Sequence, residues 1–163
     1  MTEFKSDGER IYVLWDKYAR ERNVDGLLSL YAPDAVLETP LIPAILDVDS
    51  GVLKGHSELR HFFEVGGRRR PNQLVRWYRE AGRFFFDGRM LIWEYPRAAP
   101  DGDQIELIEV MELSNSLIRH HRIYWGWFGI KQLTNTALTK AKADGYNAAQ
   151  PGAAGDAPRA ARP

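Results

Sequence analysis

The stretch EVMELSNSLIRHH, residues 109–121, decides the architecture. Two runs of alternating apolar and polar residues flank Ser114, Asn115 and Ser116, which reads as a β-hairpin closed by a polar turn. On its first strand one face carries Ile105, Leu107, Glu109, Met111 and Leu113. The other carries Gln104, Glu106, Ile108, Val110 and Glu112. The first face is the more apolar, and Glu109 is its only charge. A three-residue turn over Ser114–Ser116 pairs Leu113 with Leu117, Met111 with Arg119 and Glu109 with His121. Directly paired residues hold their Cβ atoms roughly 4.5–5.5 Å apart, within hydrogen-bonding reach for these two side chains. A shift of one residue in the turn breaks this register.

Working outward, a period of two holds from about residue 73 to 128. QLVRWYREA and GRFFF read as strands, Asp87-Gly88 as a hairpin turn, and RMLIWEY as the strand beyond it. PRAAPDGD is a second turn. N-terminal to this meander the period is helical. ERIYVLWDKYARERN spaces Ile11, Leu14, Trp15, Tyr18 and Ala19 along one stripe. DGLLSLY is a second short helix, stopped at Pro33. AVLET, residues 35–39, is a short strand. HSELRHFFEVG is a third helix, begun at His56 or Ser57 and ended by Gly66-Gly67. IKQLTNTALTKAKA is a closing helix with a Leu133, Ala137, Leu138 and Ala141 stripe. Residues 40–54, PLIPAILDVDSGVLK, read as a loop that is too apolar at Leu41, Ile42, Ile45 and Leu46 to be free in solvent. It either covers a pocket or is a buried connection. Helices, then antiparallel strands, then a helix imply an α+β domain with helices on one face of a curved sheet. One domain over residues 1–145 is expected, and the Ala-, Pro- and Gly-rich residues 146–163 are expected to be a disordered tail.

Bulk composition narrows the function. Of 163 residues, 44% are hydrophobic and 12% aromatic, enough for a packed core. Lys plus Arg balance Asp plus Glu at 22 each, so no electrostatic signal points to nucleic acid, and the tribasic Arg68–Arg70 reads as a solvated loop. The absence of cysteine removes disulfides, thiolate metal sites and cysteine nucleophiles. The polar start MTEFKSDGER is unlike a signal peptide, and no apolar run reaches membrane-spanning length. A cytoplasmic protein is expected. His120 and His121 point to opposite faces of their strand and cannot share one metal ion, and no convergent set of three ligands is visible, so no metal and no cofactor are expected. Asp47 and Asp49 either reach over a pocket or cap turns.

A buried carboxyl paired with an imidazole suits general acid–base chemistry. The same pair also serves as a satisfied polar contact that steadies the sheet. Trp125, on the face of His121 and Ile123, either lines a pocket beside Glu109 or fills a core.

The order of helix, short helix, "YAPDAVLETP", "GHSELRHFF" helix and a strand meander ending in "IYWGW" resembles the nuclear transport factor 2-like superfamily, which includes ketosteroid isomerases and SnoaL-like polyketide cyclases. The resemblance spans about residues 8–130. It implies a cone-shaped barrel, in which a strongly curved, mostly antiparallel sheet wraps on N-terminal helices around an apolar pocket, and a homodimer formed through the outer sheet face. "IEVMEL" is similar to the ketosteroid isomerase strand that carries a protonated acid, which would make Glu109 a hydrogen-bond donor to a substrate oxyanion. Where that family has its base, before a proline, this chain has Thr39, which cannot do that work. Trp15 or Tyr18 stands near the principal tyrosine position, Tyr31 fits a supporting tyrosine, and Phe63 replaces a third. Many SnoaL-like cyclases have an aspartate where this chain has Gly126. The resemblance thus implies an isomerase, dehydratase, cyclase or hydrolase acting on a small apolar molecule. Glu109 and His121 are its expected reacting pair, and Trp15, Tyr18, Tyr31, Thr39, Phe63, Met111 and Trp125 its expected substrate contacts. The alternative is a ligand-binding or dimerising module that keeps the scaffold without the chemistry.

Overall fold

A computed structural model describes residues 3–69 and 77–143, with the side chains of residues 69 and 136–143 outside that description. The expected tail, most of the closing helix's stripe, Arg70 and the start of QLVRWYREA lie outside the described residues.

The helix α1 spans Asp7–Glu21, opened by Ser6, whose side chain accepts from the Glu9 amide at 3.1 Å, and closed by Arg22 in the left-handed region (φ 56°). The short helix α2 (Val24–Leu28) follows at once, capped by Asn23. Strand β1 (Tyr31–Glu38) starts four residues earlier than its alternation suggested and runs through Pro33. Its register against the last strand shifts between Tyr31 and Val36, and that irregularity absorbs the proline. Residues 40–54 are not a loop throughout: Leu41–Leu46 form α3, which buries Ile42, and Val52–Lys54 form β2. Helix α4 (Gly55–Arg69) does not stop at Gly66-Gly67 but continues through them.

The remaining strands are β3 (Phe85–Phe86), β4 (Met90–Tyr95), the small β5–β6 pair (Ala98–Ala99, Gly102–Asp103), β7 (Leu107–Ser114) and β8 (Leu117–Trp125). Helix α5 (Trp127–Ala143) closes the chain. Residues 77–84 are not a strand. Side chains bond part of their backbone instead: Gln104 Oε1 accepts from the Tyr78 amide, Gln104 Nε2 donates to the Tyr78 carbonyl, and Tyr12 Oη donates to the Glu80 carbonyl. Arg79 ties the segment to α1, donating to the Tyr12 carbonyl while its guanidinium lies 3.6 Å over the Tyr12 ring.

Six strands form one sheet in the order β2-β1-β8-β7-β4-β3, antiparallel throughout except for the β1–β8 pair. The helices cover one face, α4 against β1 and α1 against β4. The core lies between these layers, built from Ile11, Tyr12, Leu37, Leu59, Leu91, Trp93, Met111 and Ile118. This is the α+β arrangement that the sequence implies.

The 109–121 hairpin differs in register from its expectation. Its turn has two central residues, Asn115 and Ser116, both at positive φ (50° and 62°), so Ser114 pairs with Leu117 and Leu113 with Ile118. A bulge follows at Arg119, after which Glu112 pairs with His120, Met111 with His121 and Glu109 with Ile123. The correction is a displacement by two residues. Because the side-chain period is two, His121 stays on the inner face with Glu109.

Candidate functional site

The strand alternation sets Leu107, Glu109 and Met111 inward from β7, and the bulge brings His121 inward beside Ile118 from β8. Glu109 and His121 sit diagonally across the ladder, a separation that two long side chains span. His121 Nε2 is hydrogen-bonded to Glu109 Oε2. On the other side of the ring, His121 Nδ1 lies 2.8 Å from Tyr31 Oη, and Tyr31 Oη accepts from Trp15 Nε1 at 3.1 Å. Tyr31 and His121 are each 1% exposed and Glu109 is 2% exposed. Burial holds the Tyr31 phenol above its ordinary pKa; the Trp15 hydrogen bond works against this and the negative field of Glu109 adds to it. Tyr95, opposite Leu107 on β4, is raised mainly by burial as well, again with Glu109 contributing.

This chain of polar groups ends at a cavity of about 330 Å³. The cavity is assembled by periodicity. Helix α1 contributes Trp15 and Ala19, its closing residue Arg22 follows, and α4 contributes Phe62, Phe63, Gly66 and Gly67. From β8 come His121, Ile123 and Trp125, every second residue. Leu41 and Ile45 of α3 complete one side, so part of the apolar 40–54 segment walls the cavity. The polar lining is divided: Glu109 and His121 are deeply buried, whereas Arg22 and Gln132 are exposed and stand at the rim. Glu109 Oε1 makes no hydrogen bond among the described residues, and Glu109 lines the cavity.

Of the residues singled out from sequence, Glu109, His121, Trp15, Phe63 and Trp125 line this cavity. Tyr31 does not, but it touches the pair through His121 and packs its ring 5.8 Å from Phe63. Met111 is fully buried, and Tyr18 packs against Gly26; neither lines the cavity. Thr39 is buried at the end of β1, where its hydroxyl accepts from the Leu41 amide at 3.2 Å and from Trp125 Nε1 at 3.4 Å. Asp47 ends α3 in the left-handed region, and neither it nor Asp49 reaches the cavity. His120 faces the other way and bonds Glu38 at 2.6 Å. Sequence reasoning missed Arg22, Gln132, Trp77 and Gly66-Gly67 as lining residues. Arg22 was within reach, since it lies one helical step beyond Trp15 and Ala19.

No family model and no curated protein matches the sequence. Solved structures do match. A SnoaL-like protein of unknown function from Burkholderia thailandensis aligns with a TM-score of 0.58 over 77% of this chain and 99% of its own, at 17% identity. An NTF2-like protein of unknown function from Burkholderia pseudomallei gives 0.56 over 78% and 97%, at 14% identity. TerC, co-crystallised with polyporic acid, gives 0.55 over 80% and 99%, at 13% identity. At such identities the likeness is one of fold.

Proposed function

From a chain with the nuclear transport factor 2-like fold, we propose an enzyme that acts without a cofactor, by acid–base chemistry, on a small and largely apolar molecule. The observation that carries this reading is a buried carboxyl–imidazole pair at the floor of a cavity whose other deep walls are apolar. Ionisable groups are costly to bury, and a fold needing only a filled core would place aliphatic residues here. The cavity volume is near the lower end of the roughly 300–1,000 Å³ typical of ligand sites, which suits a small organic molecule. Glu109 exchanges a proton with the ligand, His121 supports it, and Trp15, Phe63 and Trp125 form the apolar walls. Isomerisation, dehydration, cyclisation and hydrolysis all fit such a pair. The co-crystallisation of TerC with an organic acid supports a small organic ligand for this fold.

The proposal includes a cytoplasmic homodimer. Ile108 and Tyr124, paired across β7 and β8 on the outer face, are 41% and 55% exposed.

A second reading, a ligand-binding module without chemistry, draws on Thr39, whose hydroxyl is committed to Leu41 and Trp125. One experiment separates the two. Thermal shift of wild type and Glu109→Gln against steroids, terpenoid epoxides and aromatic polyketides identifies a ligand class, and turnover of that class is then assayed. Saturation at a hundred times Kd stabilises by about 2.7 kcal/mol. Stabilisation with turnover, both lost in Glu109→Gln, supports the enzyme. Binding without turnover favours the module.

A further inference from the structure

The buried chain Trp15–Tyr31–His121–Glu109 can be read for direction, because its first member only donates. Trp15 Nε1–H donates to Tyr31 Oη. The Tyr31 hydroxyl proton then needs an acceptor, and Trp15 cannot be one. The Tyr31 hydroxyl makes no other hydrogen bond among the described residues, so His121 Nδ1, 2.8 Å away, is the acceptor available. The raised pKa of the buried phenol keeps that proton on Tyr31. An imidazole that accepts at Nδ1 carries its own proton at Nε2, which it donates to Glu109 Oε2. The reverse direction, with Nδ1–H pointing at Tyr31, strands the phenolic proton in a buried site. Only one direction gives every proton within the chain an acceptor.

We propose that Trp15 and Tyr31 are positioning residues that hold His121 as its Nε2-protonated tautomer and leave Glu109 Oε1 as the acceptor presented to the ligand. The site therefore selects an apolar molecule carrying an O–H, or a C–H acidified by a neighbouring carbonyl. This reverses the donor role that the resemblance to ketosteroid isomerase implies for Glu109, and it rests on the cavity reading above for its ligand clause alone. In the step itself the proton leaves the ligand's oxygen or carbon for Oε1, and the bonding pair remains on the ligand as an oxyanion or enolate. The hydrogen bond from His121 to Oε2 stays in place throughout.

The tautomer is read directly from the ring nitrogens of His121 by long-range 1H–15N NMR on the labelled full chain, without any ligand. The expected wild-type pattern is a pyridine-like Nδ1 and a pyrrole-like Nε2. Trp15→Phe, which supplies no acceptor, keeps that pattern. Trp15→Gln, whose amide oxygen can take the Tyr31 proton, and Tyr31→Phe, which removes the donor, both move population toward the Nδ1-protonated form. A wild-type ring protonated at Nδ1, or a pattern untouched in both Trp15→Gln and Tyr31→Phe, overturns the proposal. If Tyr31→Phe does not fold, the wild-type pattern and the two Trp15 variants decide. The ligand clause is tested with 2-naphthol against 2-methoxynaphthalene. The naphthol is expected to bind about tenfold tighter, as one added hydrogen bond provides. Equal binding, or binding of neither, overturns that clause. The NMR result does not depend on turnover, so it stands or falls separately from the proposed activity.

Discussion

Tyr31→Phe removes one oxygen atom and little else. The ring keeps its packing against Phe63, and the volume of the site is nearly unchanged. Two hydrogen bonds are lost, the one from Trp15 and the one to His121 Nδ1, each leaving a polar group without its partner. A buried group left unsatisfied costs about 1–3 kcal/mol. The lower part of that range, taken for each group, sums to about 2–3 kcal/mol. For a chain of this length that is a fall of about 4–12 °C in Tm. Urea unfolding at pH 7 and a thermal scan measure it. The alkaline limb supplies a sign. Tyr31's folded-state pKa is raised by burial, whereas the unfolded phenol ionises near 10. Stability from its neutral form is therefore whole below about pH 10 and is lost as the pH climbs toward the folded value. The variant has no such loss at this position, so its gap to wild type narrows above pH 10. A variant as stable as wild type at pH 7, or a gap that widens in alkali, would show that the hydroxyl is not satisfied in the way described.

Gly67→Leu is expected to stabilise the protein by up to about 1 kcal/mol, because a Cβ there meets nothing within 4 Å and the helix gains from losing a glycine. Since Gly67 lines the cavity, ligand binding should weaken at the same time, which calorimetry on the variant checks. Gly8→Ala should do the opposite of the usual helical replacement: its Cβ falls 2.4 Å from Phe86 Cγ, and a loss of about 1–3 kcal/mol in urea unfolding is expected. Asp87 accepts from the Met90 amide at 2.7 Å and the Arg89 amide at 2.9 Å, and these bonds, Met90's first, hold its pKa below the usual value. Asp87→Ala should therefore be less stable than wild type at neutral pH. The two should converge as acid protonates Asp87 through its lowered folded pKa, because the advantage exists only while it is ionised.

How much of this was legible in the sequence depends on what carried each feature. Alternation alone placed Leu107, Glu109, Met111 and Leu113 on one face, because a two-residue period leaves no freedom once one residue is buried. Helical spacing did the same for Ile11 and Trp15. What failed was whatever relied on a local breaker. Gly66-Gly67 looked like a helix end, yet packing of α4 on β1 carries the helix through both. Pro33 was read as a boundary and is absorbed by a register shift inside β1. The strand expected over Trp77–Glu80 gave way to side-chain hydrogen bonds from Gln104 and Tyr12, which no period reports. For the candidate site, the inward face was readable, but the Tyr31–His121 contact joins residues 90 apart and follows from topology alone.

The hairpin shows why a register error left the inner pair intact. With its two-residue turn and no bulge, a regular ladder would set His120 opposite Met111 and His121 opposite Val110, so His120 would be the inward ring. The extra residue at Arg119 exchanges them. Each histidine then meets a carboxylate, His120 with Glu38 on the outer side and His121 with Glu109 on the inner. Adjacent histidines thus leave an imidazole facing inward under either register, and the bulge selects which one. Beyond the inner pair, the contact that distinguishes the outcome is Tyr31, which the inward His121 meets at Nδ1. The bulge does more than bend the strand, since it decides which imidazole is joined to the chain that begins at Trp15.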